Sequence, residues 1–242
     1  MIDGKRILFT GGTGLLGTEI KKTLPNLYFP DRSEFEVSNY PQMQKYLQGK
    51  DINLLIHAAA LTSPPRIDKN PVEAINSNII GTSNIVKLCF ENKMRLIYFS
   101  TDYVFKGDQG DYSEEDSVFP INKYAWSKLG GECAVQMYDN SLIIRTSFSE
   151  NEFPYEKAFV DQYTSRVSVS KLVKMLMPVL NKEDLIGIIN LGSERKTVMD
   201  FAKSLSPEKD LGELSITEVN FKAPKDTSLS CEKYNKLFGE SK

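Results

Sequence analysis

The chain has 242 residues, of which 40% are hydrophobic and 26% are charged. These values are ordinary for a globular protein and allow one large domain, or one domain with a small appendage. The formal net charge of −2 argues against partners such as nucleic-acid polymers and acidic membranes, because both favour proteins with a basic face.

Strand-like and helix-like segments alternate through the first two thirds of the chain. Apolar runs predict strands, and apolar positions at helical spacing predict helices. The predicted strands are Arg6–Thr10, Leu27–Pro30, Asn53–Ala60, Leu96–Ser100 and Leu142–Arg145. The predicted helices are Leu15–Leu24, Pro41–Gln48, Pro71–Asn92 and Lys123–Met137. This alternation predicts an α/β fold with a Rossmann-like, doubly wound parallel sheet.

The pattern loosens after Arg145. Helices are predicted over Val169–Leu180 and Thr197–Leu205, and a strand over Ile186–Leu191. The remaining tail is polar, and we expect it to be irregular. We therefore expect residues 1–147 to form the main domain and residues 148–242 to form a smaller C-terminal portion. This small C-terminal cap would sit on the carboxyl edge of the sheet, where ligands bind in such folds.

Glycines at positions 11, 14 and 17 mark the turn from the first predicted strand into the first predicted helix. Such a turn lets a pyrophosphate rest on the helix N-terminus, where bare amides and the helix dipole favour negative charge. The strand-turn-helix setting strengthens a motif that is weak alone. The sequence thus predicts a site for NADPH or NADH formed by Gly11, Thr13, Gly14, Leu15, Leu16 and Gly17.

Two further segments are predicted to contact this cofactor. Asp31 lies 20 residues after Gly11, where an acid would bind the adenosine ribose and a base such as Arg32 would meet a 2′-phosphate. Because both an acid and a base are present, the sequence does not distinguish NADH from NADPH. The alternative for Asp31 and Arg32 is a solvated turn with no cofactor contact. Three small residues end the strand after His57, namely Ala58, Ala59 and Ala60, and they permit close approach of a dinucleotide. Core packing is the alternative for them.

Tyr124 and Lys128 lie four residues apart on a predicted helix and therefore share a face. A free tyrosine has a pKa near 10, and a cation one turn away favours its phenolate and tunes it for acid–base work. Lys128 could also hold a ribose hydroxyl, and Asn78 could fix the backbone near the lysine. The hydroxyl of Thr101, which ends a strand, could bond a substrate oxygen. The alternatives are that Tyr124 and Lys128 form an ordinary surface pair and that Asn78 is an ordinary polar position on a helix.

Histidine and cysteine usage disfavours a metal site. The chain has one histidine, His57, which we expect to be a packed or hydrogen-bonded residue, and three widely spaced cysteines without disulfide or CxxC spacing. No apolar run approaches a membrane span, and because Met1–Arg6 lead directly into the first predicted strand, we expect no signal peptide. We expect a metal-free, cytoplasmic protein with no membrane partner.

Several motifs occur in one order along the chain. They are Gly11–Gly17, His57–Ala60, Asn78–Thr82, Ser100–Phe105, Tyr124–Lys128 and Arg145–Ser147. Together they resemble the extended short-chain dehydrogenase/reductases, and within these the dTDP-4-dehydrorhamnose reductase and sugar-nucleotide-binding reductases. Weaker similarity follows in Asp161–Tyr163 and Pro224–Leu229. The resemblance covers nearly the whole chain and is strongest up to about residue 147.

The resemblance implies that residues 1–147 form an NAD(P)-binding domain and residues 148–242 an abbreviated substrate-binding portion, and it implies a reaction. Thr101, Tyr124 and Lys128 would be the catalytic trio, and Asp102, Tyr103 and Phe148 would lie near the substrate. The reaction would be NAD(P)H-dependent reduction of a 4-keto-6-deoxy nucleotide sugar in deoxysugar or polysaccharide biosynthesis, with Tyr124 protonating the oxygen. A homodimer is a possible assembly.

Two departures from the family pattern leave the substrate open. Phe148 stands where these reductases usually have tryptophan, and only the short segment Ser149–Val160 covers the expected sugar site. Two other functions therefore stay open at this point. One is a non-catalytic, dinucleotide-binding regulatory subunit, and the other is a reductase of a different carbonyl substrate.

Overall fold

The computed structural model describes residues 4–219 and 223–239. The chain separates into two compact units, which are interleaved along the sequence. The first unit comprises residues 1–100, 123–144 and 179–188, and the second comprises residues 101–122, 145–178 and 189–242. The predicted domain limit at residue 147 lies near one of the points at which the chain passes between units.

A five-stranded sheet organises the first unit. Side by side, its strands are β1 (Ile7–Thr10), β2 (Leu54–His57), β3 (Arg95–Thr101), β4 (Ser141–Thr146) and β9 (Gly187–Leu191). The β1–β2 and β2–β3 pairs are parallel. The first four strands are buried along their whole length, as expected for a sheet covered by helices on both faces. The predicted α/β, doubly wound class is confirmed.

The predicted strand Leu27–Pro30 is reduced to one bridge, in which Tyr28 pairs in parallel with Leu8. The Tyr28 and Phe9 backbones are bonded, because the amide of Phe9 donates to the carbonyl of Tyr28 at 2.8 Å. After β1, the chain thus pairs with one edge of that strand at Tyr28 and then crosses to its other edge, where β2 pairs with β1. This reversal is a topological switch point, the place where open α/β sheets bind ligands.

Helices of the first unit follow the strands. They are α1 (Leu15–Thr23), α2 (Tyr40–Leu47), α3 (Pro64–Lys69), α4 (Pro71–Ala74), α5 (Gly81–Glu91) and α6 (Lys123–Val135). The helix predicted over Pro71–Asn92 is not uniform, since Ile75–Ile80 form a π-helical turn between α4 and α5. A buried apolar cluster between sheet and helices includes Leu8, Met43, Leu55, Ile85, Leu88 and Leu96.

Among its described residues, the second unit contains short strands and three α-helices, one of them only in part. Its strands are β5 (Phe148–Ser149), β6 (Lys157–Phe159), β7 (Tyr163–Thr164), β8 (Val167–Ser168), β10 (Lys196–Thr197) and β11 (Gly212–Leu214). Helix α7 (Val169–Asn181) begins in this unit, which also holds α8 (Val198–Leu205) and α9 (Glu232–Phe238). Strand β11 and helix α9 fall in the tail predicted to be irregular, so that prediction was wrong for these ten residues. Across residues 4–219 and 223–239, no helix has the length and apolarity to cross a bilayer.

Candidate functional site

The glycine turn after β1 has the geometry that its spacing predicts. Gly11 adopts φ +83°, and a Cβ there would come within 2.9 Å of the backbone of Ala58 and Ala59. A Cβ on Gly17 would lie 2.5 Å from the carbonyl oxygen of Gly11, so Gly17 lets α1 approach the turn. Gly14 is the N-cap of α1, and no described side chain caps that terminus. The first turn of α1 thus presents its amides to an outside acceptor.

A cavity of about 600 Å³ opens at this turn. Of the predicted cofactor residues, the structure brings together Gly11, Thr13, Gly14, Asp31, Arg32, Ala58, Ala59 and Ala60 around it. Leu15, Leu16 and Gly17 lie in α1 and are not among the residues that line the cavity; Leu16 and Gly17 are buried, and Leu15 is exposed. The lining residues that the sequence did not single out include Thr10, Phe35, Glu36, Leu61, Arg66, Glu73, Asn76 and Ser77.

Asp31 and Arg32 differ in how they are held. The Oδ1 atom of Asp31 accepts bonds from the amide and hydroxyl of Ser33 and from the amide of Glu34, at 2.6–3.1 Å. These bonds, the Ser33 hydroxyl first, lower the pKa of the Asp31 carboxyl. Arg32 pairs with Glu36, which also lines the cavity, and the Arg32 side chain is 75% exposed. A hydrogen-bonded acid, Asp31, and an exposed base paired with Glu36, Arg32, therefore lie side by side at the cavity.

His57 is fully buried and bonded at both ring nitrogens. Thr10 Oγ1 lies 2.8 Å from Nδ1, and Thr82 Oγ1 lies 3.1 Å from Nε2. Because the Thr82 hydroxyl donates to the carbonyl of Asn78, it accepts from Nε2, and Thr10 donates to Nδ1. Burial, and then the charge of Lys128, lower the pKa of His57 to about 3. His57 is a hydrogen-bonded core residue, as the sequence analysis expected.

We expect the His57 ring to remain neutral from pH 8 down to about pH 5. Its pKa is lowered on folding, so its contribution to stability is present above pH 6.5 and is lost as pH falls toward 3, by about 1.4 kcal/mol per pH unit. Proton NMR of the chain's single imidazole would measure this directly, and a His57→Gln variant should show a shallower loss of stability with acid. Titration of the ring near pH 6.5 would contradict the expectation.

Lys128 lies on the buried face of α6, four residues after Tyr124. Its Nζ donates to the carbonyl of Phe99 in β3 at 2.8 Å and lies 4.1 Å from the centre of the Tyr98 ring. Burial lowers the pKa of Lys128 to about 7, opposed by the charge of buried Glu132. The ammonium and amine forms of Lys128 therefore coexist near neutral pH, which suits a group that tunes proton transfer.

The π-helical turn is tied to two other parts of the first unit by Asn78. Its side-chain oxygen accepts from the amide of Leu61 at 2.8 Å, and its nitrogen donates to the carbonyl of Leu61 at 2.9 Å. The same nitrogen donates to Ser127 Oγ at 2.8 Å, and that hydroxyl donates to the carbonyl of Tyr124 at 2.7 Å. Asn78 thus links the cavity wall at Leu61 to the turn of α6 that carries Tyr124, and Ser127 is a site residue that the sequence analysis missed.

The second unit holds Thr101 and the predicted substrate residues. Thr101 Oγ1 accepts from the amide of Tyr103 at 3.2 Å and donates to Asp102 Oδ1 at 3.0 Å. Asp102 is 1% exposed, and its other oxygen, Oδ2, accepts from Thr227 Oγ1 at 2.7 Å. Tyr103 and Phe148 are half-buried, and Phe148 pairs with Val167 between β5 and β8. Inside this unit, Asp102 is therefore bonded to protein groups through both oxygens.

Known proteins similar to this chain include enzymes and an enzyme subunit. The dTDP-4-dehydrorhamnose reductase of Aggregatibacter actinomycetemcomitans is 26% identical over 191 residues, which cover 76% of this chain and 60% of that protein. Methionine adenosyltransferase 2 subunit beta of Xenopus laevis is 31% identical over 156 residues, covering 60% of this chain and 47% of that one. The chain thus spans about half to three fifths of the length of these relatives.

The fold is also found among solved structures. A dTDP-4-dehydrorhamnose reductase from Bacillus anthracis, crystallised in complex with NADP, superposes with a TM-score of 0.84 at 24% identity and covers 100% of both chains. A family model described as the RmlD substrate binding domain matches residues 5–177. This match spans well over half of the chain and bears out the resemblance to the extended short-chain dehydrogenase/reductases. The chain belongs to the RmlD substrate binding domain family.

Proposed function

We propose that the chain is an NAD(P)H-dependent reductase of a 4-keto-6-deoxy nucleotide sugar. The observation that carries the proposal is Lys128, a fully buried lysine with a pKa near 7, one helical turn after Tyr124. Burial of a cation costs stability, and lysines with such lowered pKa values cluster at sites where protons are transferred. Family membership and the glycine-walled cavity of the same unit support the proposal.

The residues of the cavity fit a dinucleotide. A Cβ added at Gly14 would have one described heavy atom within 4 Å, the Gly11 oxygen at 3.3 Å. Because Gly14 lines the cavity, a longer side chain there would extend into the cavity. The amides of the glycine turn suit a pyrophosphate, and Asp31 and Arg32 suit the adenosine ribose or its phosphate. Lys128 would hold the second ribose, and Ala58–Ala60 leave room along the strand end.

The proposed chemistry is the addition of a hydride and a proton to a carbonyl group. A bound nicotinamide would supply the hydride to the sugar carbon. Tyr124 would give its phenolic proton to the sugar oxygen, which converts the ketone to an alcohol and leaves the phenolate. The Lys128 ammonium favours that phenolate and so makes Tyr124 a stronger acid.

The substrate would be held by the second unit. Its segment between β5 and β6 is short, and Phe153 anchors it in a small apolar cluster with Val198, Met199 and Phe201 of α8. The amide of Phe153 also donates to Ser206 Oγ at 2.9 Å. A compact covering segment of this kind supports a sugar site with few contacts, and Phe148 would offer it an apolar surface without an indole donor.

Oxidation of NADPH or NADH against a panel of 4-keto-6-deoxy nucleotide sugars tests the proposal. We expect turnover with at least one member and slower turnover with simple ketones that lack the nucleotide. A protein that binds the cofactor and reduces neither group of compounds would overturn the reductase proposal. The result would then favour the alternative, a non-catalytic regulatory subunit; one similar protein, methionine adenosyltransferase 2 subunit beta, is named as a subunit of an enzyme.

Arg32 is expected to discriminate between the two cofactors. Arg32→Ala should weaken NADPH binding by on the order of 1.5–3 kcal/mol, because a charge-assisted bond to the 2′-phosphate is lost, and should change NADH binding little. Since Arg32 pairs with Glu36, Glu36→Gln should release it and strengthen NADPH binding. Calorimetric titration of both cofactors measures each effect. Equal losses for NADPH and NADH in Arg32→Ala would place Arg32 away from the phosphate.

A further inference from the structure

The cavity at the glycine turn is lined by both acids and bases. Its described lining includes three acids, Asp31, Glu36 and Glu73, and two bases, Arg32 and Arg66. Each of these bases is paired with an acid of the same cavity, Arg32 with Glu36 and Arg66 with Glu73. A dinucleotide brings negative charge on its diphosphate, and NADPH brings more on its 2′-phosphate. A phosphate in this cavity therefore competes with an acid for each of the two bases.

The pair between Arg66 and Glu73 is strong in geometry and weak in energy. Arg66 Nε donates to Glu73 Oε2 at 2.7 Å, and Arg66 Nη2 lies 2.5 Å from the same oxygen. The Arg66 side chain is 60% exposed and the Glu73 side chain 37%, so water screens the attraction between them. The planar guanidinium matches a phosphate as well as it matches a carboxylate, and both kinds of bond are charge-assisted. Exchange of the Glu73 carboxylate for a phosphate therefore costs Arg66 little.

Glu73 keeps other partners when Arg66 leaves it. Its second carboxylate oxygen, Oε1, accepts from Asn70 Nδ2 at 3.0 Å, and this oxygen is not the one that Arg66 contacts. The carbonyl of Glu73 also accepts from Ser77 Oγ at 2.9 Å. Because the carboxylate is partly exposed and retains the Asn70 donor, the departure of Arg66 leaves no buried charge without a partner.

The backbone that carries Arg66 is held independently of the ion pair. In α3, the neighbouring side chain of Ile67 is 1% exposed, and the carbonyl of Arg66 accepts from the amide of Asn70 at 2.9 Å. The carbonyl of Asp68 accepts from Nζ of Lys123, the first residue of α6, at 3.2 Å. The Arg66 side chain can thus change its partner while α3 stays in place.

We propose that Arg66 binds a phosphate group of the cofactor and that Glu73 competes with the cofactor for Arg66. When NAD(P)H binds, the Arg66 guanidinium would leave the Glu73 carboxylate and donate to a phosphate in the same cavity. The inference rests on the proposed function, because it concerns the cofactor of that function. The diphosphate is common to NADH and NADPH, whereas the 2′-phosphate belongs to NADPH alone, so comparison of the two cofactors identifies which phosphate Arg66 meets.

The test is calorimetric titration of NADH and NADPH into the parent, Arg66→Gln and Glu73→Gln. We expect Arg66→Gln to weaken binding roughly tenfold, the effect of one lost bond to a charged group. Glu73→Gln should strengthen binding about two- to fivefold, because Arg66 no longer has a competing acid. A loss in Arg66→Gln that is the same for both cofactors assigns Arg66 to the diphosphate, and a loss for NADPH alone assigns it to the 2′-phosphate.

A double variant separates competition from the general effect of charge. Glu73→Gln also removes a negative charge from the cavity, and this favours any anion. If Glu73 acts by competing for Arg66, Glu73→Gln should change nothing in the Arg66→Gln background, whereas a general charge effect would persist there. Lys87→Gln is the matched control, because Lys87 pairs with Glu91 at exposed fractions of 60% and 41% and is not among the residues that line the cavity. It should leave the affinity for both cofactors unchanged.

Two results would overturn the inference. One is an Arg66→Gln protein that binds both cofactors as tightly as the parent, and the other is a Glu73→Gln effect of the same size in both backgrounds. The ¹⁵N NMR signal of the Arg66 Nε–H group, identified by its loss in Arg66→Gln, gives a readout without turnover. It should shift when NADPH is added to the parent, and an unmoved signal also counts against the inference. If the signal shifts and Arg66→Gln binds weakly, but the parent reduces no sugar, only the proposed reductase function fails.

Discussion

Tyr124→Phe should lower kcat by roughly 10²–10⁴, the usual contribution of a positioned general acid. The change removes one oxygen and keeps the ring, so the shape of α6 and the affinity for NAD(P)H should be nearly unchanged. Single-turnover kinetics with saturating cofactor would isolate the chemical step, and calorimetry would report the affinity. A Tyr124→Phe protein as fast as the parent would exclude Tyr124 as the proton donor.

Two variants separate proton transfer from general damage. Tyr138→Phe is a matched control, since Tyr138 follows α6 and its hydroxyl donates to the carbonyl of Met94 at 2.8 Å. That variant should lose about 1 kcal/mol of stability and keep its turnover. Lys128→Met should impair both turnover and cofactor affinity, because Lys128 tunes the tyrosine and would hold the ribose. A Lys128→Met enzyme that loses turnover alone would remove Lys128 from the cofactor site.

Gly14→Val should abolish detectable dinucleotide binding and leave the fold largely intact. Gly14 has φ −78° and ψ 175°, a conformation open to any residue, so the substitution introduces no backbone strain. The valine methyls would project toward the cavity that would take the pyrophosphate. Calorimetric titration of NADH and NADPH, together with thermal unfolding of the same sample, measures both parts of the expectation.

Gly17→Ala provides the contrast. Its Cβ would lie 2.5 Å from the Gly11 oxygen and 2.6 Å from Gly12 Cα, both of which are backbone atoms that cannot rotate away. We expect it to destabilise the fold by about 1–3 kcal/mol, as overpacking does. If Gly14→Val unfolds as Gly17→Ala does, or if the parent binds neither cofactor, the glycine motif has only a structural role.

The parts of the site that local sequence determines could be predicted. A glycine turn needs the conformational freedom of Gly11 and the close approach at Gly17, and both requirements act within a few residues of the motif. The spacing of Tyr124 and Lys128 likewise needs only a helix to bring them to one face. The strands of the main sheet were found for the same reason, because continuous apolar runs identify buried strands wherever they pair.

Long-range contacts determined what could not be predicted. The apolar pattern of Pro71–Asn92 does not distinguish a continuous α-helix from one that contains a π-helical turn. Asn78 in that turn bonds to Leu61 and Ser127, which lie elsewhere in the chain. Helix α9 is short and polar, and none of its residues is buried, so no hydrophobic periodicity marks it. The bond between Asp102 and Thr227 joins residues 125 positions apart, and nothing near either residue indicates the other.

The π-helical turn at Ile75–Ile80 makes the length of this segment part of the site. A π turn closes hydrogen bonds one residue further along the chain than an α turn, so it takes up one residue more. Loss of that residue would convert the segment to a continuous α-helix and shift the side chains inside the turn, while the faces of α4 and α5 kept their alignment. Asn76 and Ser77 belong to this turn and line the cavity, so they would move. A change in residue number here would therefore reshape the cofactor cavity even if every residue lining it were kept.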